Sequence, residues 1–326
     1  MAYGASNHDI CYLFSYFKGG GQDGLHLACS EDGFHWTPLK NDLSFLKPAV
    51  GGKLMRDPSI LRGPDDVFHL ACTTSWGDRG IGMAHSRDLV NWSEQDFLPV
   101  MAHEPAAMNC WAPEIFYDEK SGEYIIFWAT TIPGRFPQTD QTGINVPAHV
   151  GAAPGRYNHR IYCTTTRDFH SFSPTRLFYD DGFNVIDATM IRNGDTYYLF
   201  MKDESIYPVR RGCLRIATAG NPQGPFGHAS QPIPIVEVQG RPSPFGYTTA
   251  TNVADAVEGP SAVKIGAAWV VFYDEYNTGH YGAVMSEDMQ KWRCISNVIS
   301  FPEGARHGTV FTAPRPILTA LQKAYI

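Results

Sequence analysis

Apolar and polar positions alternate along this chain in short runs, and one compound pattern recurs: an apolar strand, a small or hydroxyl residue, an acidic turn, then an aromatic. It reads LHLACSEDGFHW from Leu25 to Trp36, IGMAHSRDLVNW from Ile81 to Trp92, IYCTTTRDFHSF from Ile161 to Phe172 and YGAVMSEDMQKW from Tyr281 to Trp292. A degenerate copy, LRIATAGNPQGPF, runs from Leu214 to Phe226. The closing aromatics stand 56, 80, 54 and 66 residues apart, so five units fill all 326 positions.

Between these copies lies a second pattern, a short strand, a turn rich in Gly or acidic residues, and an aromatic-rich strand. It appears as MRDPSILRGPDDVFHLACTTSW, WAPEIFYDEKSGEYIIFWATT, VIDATMIRNGDTYYLFMKDE and VEGPSAVKIGAAWVVFYDEY. Each unit therefore supplies about four strands. The first unit opens with FSYFKGGGQDGLHLACS alone, which predicts that a segment near RHGTVFTAP, from the far end of the chain, completes its sheet. The expected fold is all-β, a five-bladed β-propeller with four antiparallel strands per blade, occupying 1–326 as a single domain. A sandwich has no such period. The surplus in the 80-residue interval falls in Thr131 to His159, rich in Pro, Gly and polar residues, and predicts a long loop bordering the mouth of a site.

Composition narrows the function. Hydrophobic residues make up 43% of the chain and charged residues 18%, which excludes disorder, and the 31 Gly and 23 Pro are spread as many turns require. Lys and Arg number 26 against 33 Asp and Glu, a net charge of −7 with no long basic run, so nucleic acid and anionic membranes are not expected as partners. No apolar stretch approaches the roughly 20 residues that span a bilayer, and MAYGASNHDI has neither a basic nor an apolar leader region. The expectation is a water-soluble protein, with the compartment open between export and the cytoplasm. Seven cysteines, an odd count without a CxxC pair, predict buried free thiols.

In a propeller the innermost strand of every blade runs beside the central axis, so equivalent residues converge despite their separation in sequence. The openings of the second pattern place Asp57, Glu114, Asp187 and Glu258 at nearly corresponding points, and ARHGTV brings Arg306 and His307. Carboxylates flanked by apolar residues are costly unless paired or employed. Several in one register point to glycosidic bond cleavage, where a carboxylic acid protonates the leaving oxygen while a carboxylate activates water or attacks carbon. HExxH, a glycine-rich phosphate loop and GxSxG are all missing, which removes zinc proteases, nucleotide enzymes and serine hydrolases.

Through DPSI, WAPEI, IDAT, EGPS and RHGT, in that order, nearly the whole chain resembles glycoside hydrolase family 43 and its five-bladed relatives. The resemblance implies an inverting hydrolase with Asp57 as general base, Glu258 as general acid and Asp187 orienting that acid and holding its proton by like-charge repulsion. Inversion implies carboxyl groups roughly 6.5–9.5 Å apart. Glu114 is expected either to contact substrate or to hold groups between blades. Trp76 and Trp111 are candidate sugar platforms, whereas Trp36, Trp92 and Trp292, as repeat aromatics, belong to the core. Arg306 is a candidate for sugar hydroxyls or for orienting a carboxylate, and Lys202 for facing the funnel. His307 resembles the late-blade His that, through water, faces a calcium or sodium ion on the axis; no cofactor is needed for the chemistry itself.

The resemblance implies an oligo- or polysaccharide substrate. A long loop closing one end of the funnel favours an exo-acting α-L-arabinofuranosidase, with β-xylosidase, then galactosidase or galactofuranosidase, as alternatives. Three other readings remain. A retaining invertase-type enzyme shares Arg56–Pro58 but requires an upstream WMNDPN motif, which is missing; a phosphorylase would use Arg56, Arg306 and His307 on phosphate; a sugar-binding propeller would have lost its carboxylates.

Overall fold

The repeat copies are the third strands of five blades, and the second pattern supplies their first and second strands. This is seen in a computed structural model that describes residues 10–139, 157–205, 212–235, 257–276 and 278–324. The first blade combines β1 (Ile10–Lys18), β2 (His26–Ser30) and β3 (Thr37–Pro38) with β19 (Ala305–Pro314), which pairs antiparallel with β1 and closes the ring as the sequence predicted. The second is β4 (Arg56–Arg62), β5 (Phe68–Thr73), β6 (Ile81–Ser86) and β7 (Asp96–Leu98). The third is β8 (Trp111–Asp118), β9 (Glu123–Thr131), β10 (His159–Thr166) and β11 (Arg176–Tyr179). The fourth shows three strands among the described residues, β12 (Val185–Asn193), β13 (Thr196–Asp203) and β14 (Cys213–Ala219); the fifth has β15 (Glu258–Ile265), β16 (Ala268–Glu275), β17 (His280–Ser286) and β18 (Arg293–Cys294). The protein is a five-bladed β-propeller with four-stranded antiparallel blades; in the fourth, the segment after β14 runs along that strand through Gly227, Ser230 and Ile233 N–H, which donate to Thr218, Ile216 and Leu214 carbonyls.

The inner strands β19, β4, β8, β12 and β15 pack each against the next and surround the axis. Apolar residues gather in five clusters, one between each pair of neighbouring blades. The core is thus a ring of interfaces rather than one centre. Each cluster receives one repeat aromatic: Trp36, Trp92, Phe172, Phe226 or Trp292. The one α-helix among the described residues, α1 (Arg315–Lys323), follows β19 and buries Leu318 and Leu321 in the cluster between the first two blades. All seven cysteines are free thiols, five of them buried.

The acidic turn of the repeat is an anchor for backbone amides. In the second blade Asp88 accepts from Val90 and Asn91 N–H at 2.9 and 2.7 Å, and Ser86 Oγ accepts from Leu89 N–H at 2.8 Å. Thr166 with Asp168, and Ser30 with Asp32, repeat the arrangement. The turn forces a positive φ three residues after the hydroxyl, at Gly33, Leu89, Phe169 and Met289. Leu89 and Met289 are buried there, so apolar contact offsets a left-handed backbone that β-unbranched residues adopt at some cost. Gly33 differs because Ile265 of the neighbouring blade fills the space its side chain would take.

Candidate active site

Every inner strand carries a bulge near its start. The ladder slips between Arg56 and Ser59, Trp111 and Glu114, Ile186 and Thr189, and Glu258 and Ser261, with a matching slip in the β1–β19 pair. Inside four of the bulges one residue has φ near +50°: Asp57, Ala112, Asp187 and Gly259. A bulge frees the strand from its pairing and re-aims side chains. Asp tolerates this backbone better than most residues, which suits Asp57 and Asp187 to the position.

This register refines the sequence expectation. Asp57 and Asp187 are true equivalents, Glu258 precedes that point by one residue, and Glu114 follows it by two. Glu114 is therefore equivalent to Ser59, Thr189 and Ser261. It sits among hydroxyls, accepting from Thr189 Oγ1 at 2.7 Å, with the Ser59 and Thr309 hydroxyls also bonding it. Burial pushes its carboxyl up to about 7.

Asp57, Asp187 and Glu258 come together with His307, Lys202 and Arg306. His307 Nδ1 lies 3.3 Å from Asp57 Oδ1 and 3.8 Å from Asp187 Oδ2. Asp57 Oδ2 accepts from Thr73 Oγ1 at 2.8 Å, and that hydroxyl accepts from Ala112 N–H of the next blade at 2.8 Å. Gly259 N–H donates to Asp187 Oδ2 at 3.1 Å, tying Asp187 to the strand that carries Glu258. Lys202 Nζ stands 3.1 Å from Glu258 Oε2 and 2.6 Å from Glu204, with the Tyr276 ring 4.5 Å away. Arg306 reaches Glu258 at 3.6 Å and donates from Nε to Asp274 at 2.9 Å. Asp274 also accepts from His307 N–H at 3.1 Å. Glu258 is surrounded by protein, yet 20% of its side chain opens into the funnel.

Carboxyl groups of Asp57, Asp187, Glu204, Glu258 and Asp274 gather here with the basic side chains of Lys202, Arg306 and His307. Desolvation raises the Asp187 carboxyl to about 7 and also raises Asp274. Glu258 is desolvated too, but Lys202, Arg306 and His307 outweigh that and hold it below its ordinary value. His307 is raised in spite of its burial because Asp187 and Asp57 flank it. Burial thus shifts the Asp187 carboxyl upward, while Lys202, foremost among the neighbouring cations, shifts that of Glu258 downward through a contact the sequence could not show.

The remaining candidates line one wall. Trp76 is 48% exposed and meets Trp111 edge-on at 5.5 Å, and Trp111 Nε1 donates to Trp76 O at 3.1 Å. Tyr157 and His159, from the end of the long insertion, lie 4.7 and 4.9 Å from the Trp111 ring. That insertion's centre, 140–156, is outside the described residues, while the part that is described borders Trp111 as a mouth loop would. The Arg56 guanidinium lies over Trp76 at 4.3 Å and over Phe17 at 4.6 Å.

His307 does not fit an axial metal directly. Its Nδ1 faces two carboxylates and its ring rests on Gly259, where an added Cβ would come within 2.4 Å of Cδ2. Among the described residues no group of three or more His, Cys, Asp or Glu is arranged to hold a metal. The imidazole, raised above its ordinary value in spite of burial, stands within reach of Asp57 and Asp187.

Sequence reasoning missed Asp274, Glu204 and Thr73. A signal for two of them existed: aligning FHLACT, YIIFWA, YYLFMK and WVVFYD on the second strands places Thr73, Ala129, Lys202 and Asp274 in one column. Those residues pair with Arg56, Trp111, Ile186 and Glu258 across the bulges.

A family model described as "Probable glycosyl hydrolase domain", the glycosyl hydrolase 43-related family, matches residues 8–315. The chain belongs to that family. It is a glycosyl hydrolase domain of the family 43-related type. An α-L-arabinofuranosidase of Bifidobacterium longum is 26% identical over 166 residues, 46% of this chain and 15% of that relative, so the chain matches only a small part of the relative's length. Among solved structures, an α-L-arabinofuranosidase from Lactobacillus brevis superposes with a TM-score of 0.53 at 15% identity, covering 74% of this chain and 72% of that one. A thermostable family 43 glycoside hydrolase gives 0.56 at 15% identity, over 82% and 85%. A family 43 β-1,3-galactosidase gives 0.55 at 12% identity, over 87% and 55%. At such identities these structures establish the shared fold.

Proposed function

We propose that this glycoside hydrolase is an inverting, exo-acting α-L-arabinofuranosidase. The observation that carries the chemistry is the meeting of Asp57, Asp187 and Glu258, from three blades, around His307 at one end of the axis. Asp57 is the base. Thr73 and His307 fix its two oxygens, leaving a carboxylate oriented to take a proton from water attacking the anomeric carbon. Glu258 is the acid, protonating the departing oxygen on the opposite face. It shares a proton with Asp187, and the two titrate as a pair. A sugar seated in the funnel covers the exposed fifth of Glu258, removes the water that screens its charge, and shifts the shared proton toward it.

Lys202 and Arg306 orient Glu258 and are placed to bind sugar hydroxyls, and Trp76 and Trp111 present rings to a sugar face. Glu114 is a structural acid in the hydroxyl ring. The arabinofuranoside reading is supported by the named Bifidobacterium relative, and exo action by the insertion ends that stand beside Trp111. Its test is hydrolysis of nitrophenyl α-L-arabinofuranoside, β-D-xyloside, β-D-galactoside and β-D-galactofuranoside, with proton NMR of the first-formed anomer. The expected result is arabinofuranoside cleavage with inversion, lost by at least about a thousandfold in Asp57→Asn and Glu258→Gln. Preference for another glycone would replace the substrate, and retention of configuration or insensitivity to both substitutions would overturn the mechanism.

A further inference from the structure

Arg56 is the residue that neither the fold nor the proposed chemistry uses. It opens β4 immediately before Asp57, half-buried, with its guanidinium carbon 4.6 Å from the Phe17 ring centre and 4.3 Å from that of Trp76. Among the described residues every other arginine bonds a protein acceptor: Arg62 bonds Asp66, Arg160 bonds Asp180, Arg215 bonds Asp203, Arg306 bonds Asp274, Arg315 bonds Glu31, Arg293 bonds the Met285 sulfur, and the rest bond carbonyls or polar side chains. Arg56 bonds none of the described residues. The two rings attract its charge but give its N–H donors no conventional acceptor.

The seat is shaped for this side chain. The β1–β2 hairpin reaches β4 through Met55 N–H, which donates to Gly21 O at 2.9 Å. Gly21 has φ +84°, and a Cβ there would come within 2.8 Å of Arg56 Cγ and of Met55 O. Any other residue at that turn would push the arginine stem out of place.

A guanidinium packed against two rings, with no acceptor among the described residues for its forked N–H donors, is suited to a planar acceptor that takes two parallel hydrogen bonds, the geometry of a carboxylate. In a carbohydrate the group with that shape and charge is the carboxylate of a uronic acid. The rings beside it, Trp76 with an exposed face and Trp111, give the same sugar an apolar surface. We propose that Arg56 binds a uronic acid carboxylate in the substrate glycan, next to the sugar being released, so that the enzyme selects acidic chains over neutral ones. This rests on the hydrolase reading of the neighbouring carboxylates.

The test compares two oligosaccharides that differ only in reduction of the uronic acid carboxyl to an alcohol. The wild type is expected to favour the acidic form in kcat/KM by about tenfold or more, chiefly through KM, with the preference shrinking as salt rises from 0.05 to 0.5 M. In Arg56→Met the preference should disappear. Arg56→Lys, which keeps the charge and loses the fork, should restore only part of it, and serves if the methionine variant does not fold. Equal rates on the two forms in the wild type, or an unchanged ratio in both variants, overturns the proposal. Calorimetric titration of the wild type and Glu258→Gln with both oligosaccharides separates the two readings. Acid-selective binding without hydrolysis supports the Arg56 site while sinking the catalytic assignment, and hydrolysis without acid selectivity does the reverse.

Discussion

At the residue scale, the site depends on contacts a few tenths of an ångström wide. Gly259 combines a left-handed backbone with a ring against its Cα, since His307 atoms lie 2.4–2.9 Å from where a Cβ would stand. Gly259→Ala is expected to displace His307 from Asp57 and Asp187, reducing kcat by at least about tenfold while KM changes less, as steady-state kinetics would show. Lys202 is decisive for the acid. Its ammonium lowers the Glu258 carboxyl against the effect of burial, so Lys202→Met should raise it and carry the alkaline limb of the kcat/KM–pH profile upward. Asp187→Asn should carry it downward, because the group whose carboxyl stands at about 7 is gone. Equal limbs in all three proteins would show that the pair does not supply the proton. The identities of Asp57, Asp187 and Glu258 were legible because each sits in a recurrent motif. The downward shift of Glu258 was not, since it depends on a lysine 56 positions away in sequence and 3.1 Å away in space.

At the scale of the element, the turn after the third strand in four of the blades is stabilised by an acidic residue whose work is structural, Asp32, Asp88, Asp168 or Asp288. Asp88 is held below the ordinary carboxylate value by the N–H groups of Asn91 and Val90, which outweigh its partial desolvation. Asp88→Ala leaves those donors to solvent and should cost about 1–2 kcal/mol by urea titration, without altering kcat. A loss of activity at unchanged stability would show a role beyond the turn. Here the repeat in the sequence was read correctly as structure, because the same chemistry recurring across those blades serves what each of them needs. The bulge on the first strand was not read. Its backbone signature is a positive φ at Asp57, Ala112, Asp187 and Gly259, four positions with three residue types, and so no shared letter marks it. That bulge is what separates Glu114 from the acids by register.

Across the whole molecule, closure and protonation govern stability. β19 completes the first blade and also packs its side chains against β4 and β15, so a chain ending at residue 304 should lose cooperative unfolding altogether, visible as loss of the thermal transition by circular dichroism. Two kinds of buried group set the pH range. His69 and His159 are buried neutral, with burial lowering them to about 4 and about 3, so the stability they contribute is present above 6.5 and is lost as pH falls toward those values. Glu114 and Asp187 are raised to about 7, and their contribution is present below about 4 and is lost as pH rises through 7. The unliganded protein should be most stable at about pH 5–6, by melting temperature, with His69→Gln flattening the acid side and Glu114→Gln the alkaline side. The sequence by itself determined the blade number, the strand order, the closure by the last strand and the three carboxylates, because period and motif are properties of neighbours along the chain. Only the tertiary structure decided which charges meet, that Asp274 and Glu204 stand beside Glu258 and its cations, and that Arg56 packs against two rings without an acceptor among the described residues. Those facts arise where five inner strands converge on one axis, and electrostatic energy depends on distance through space, which no spacing along the chain records.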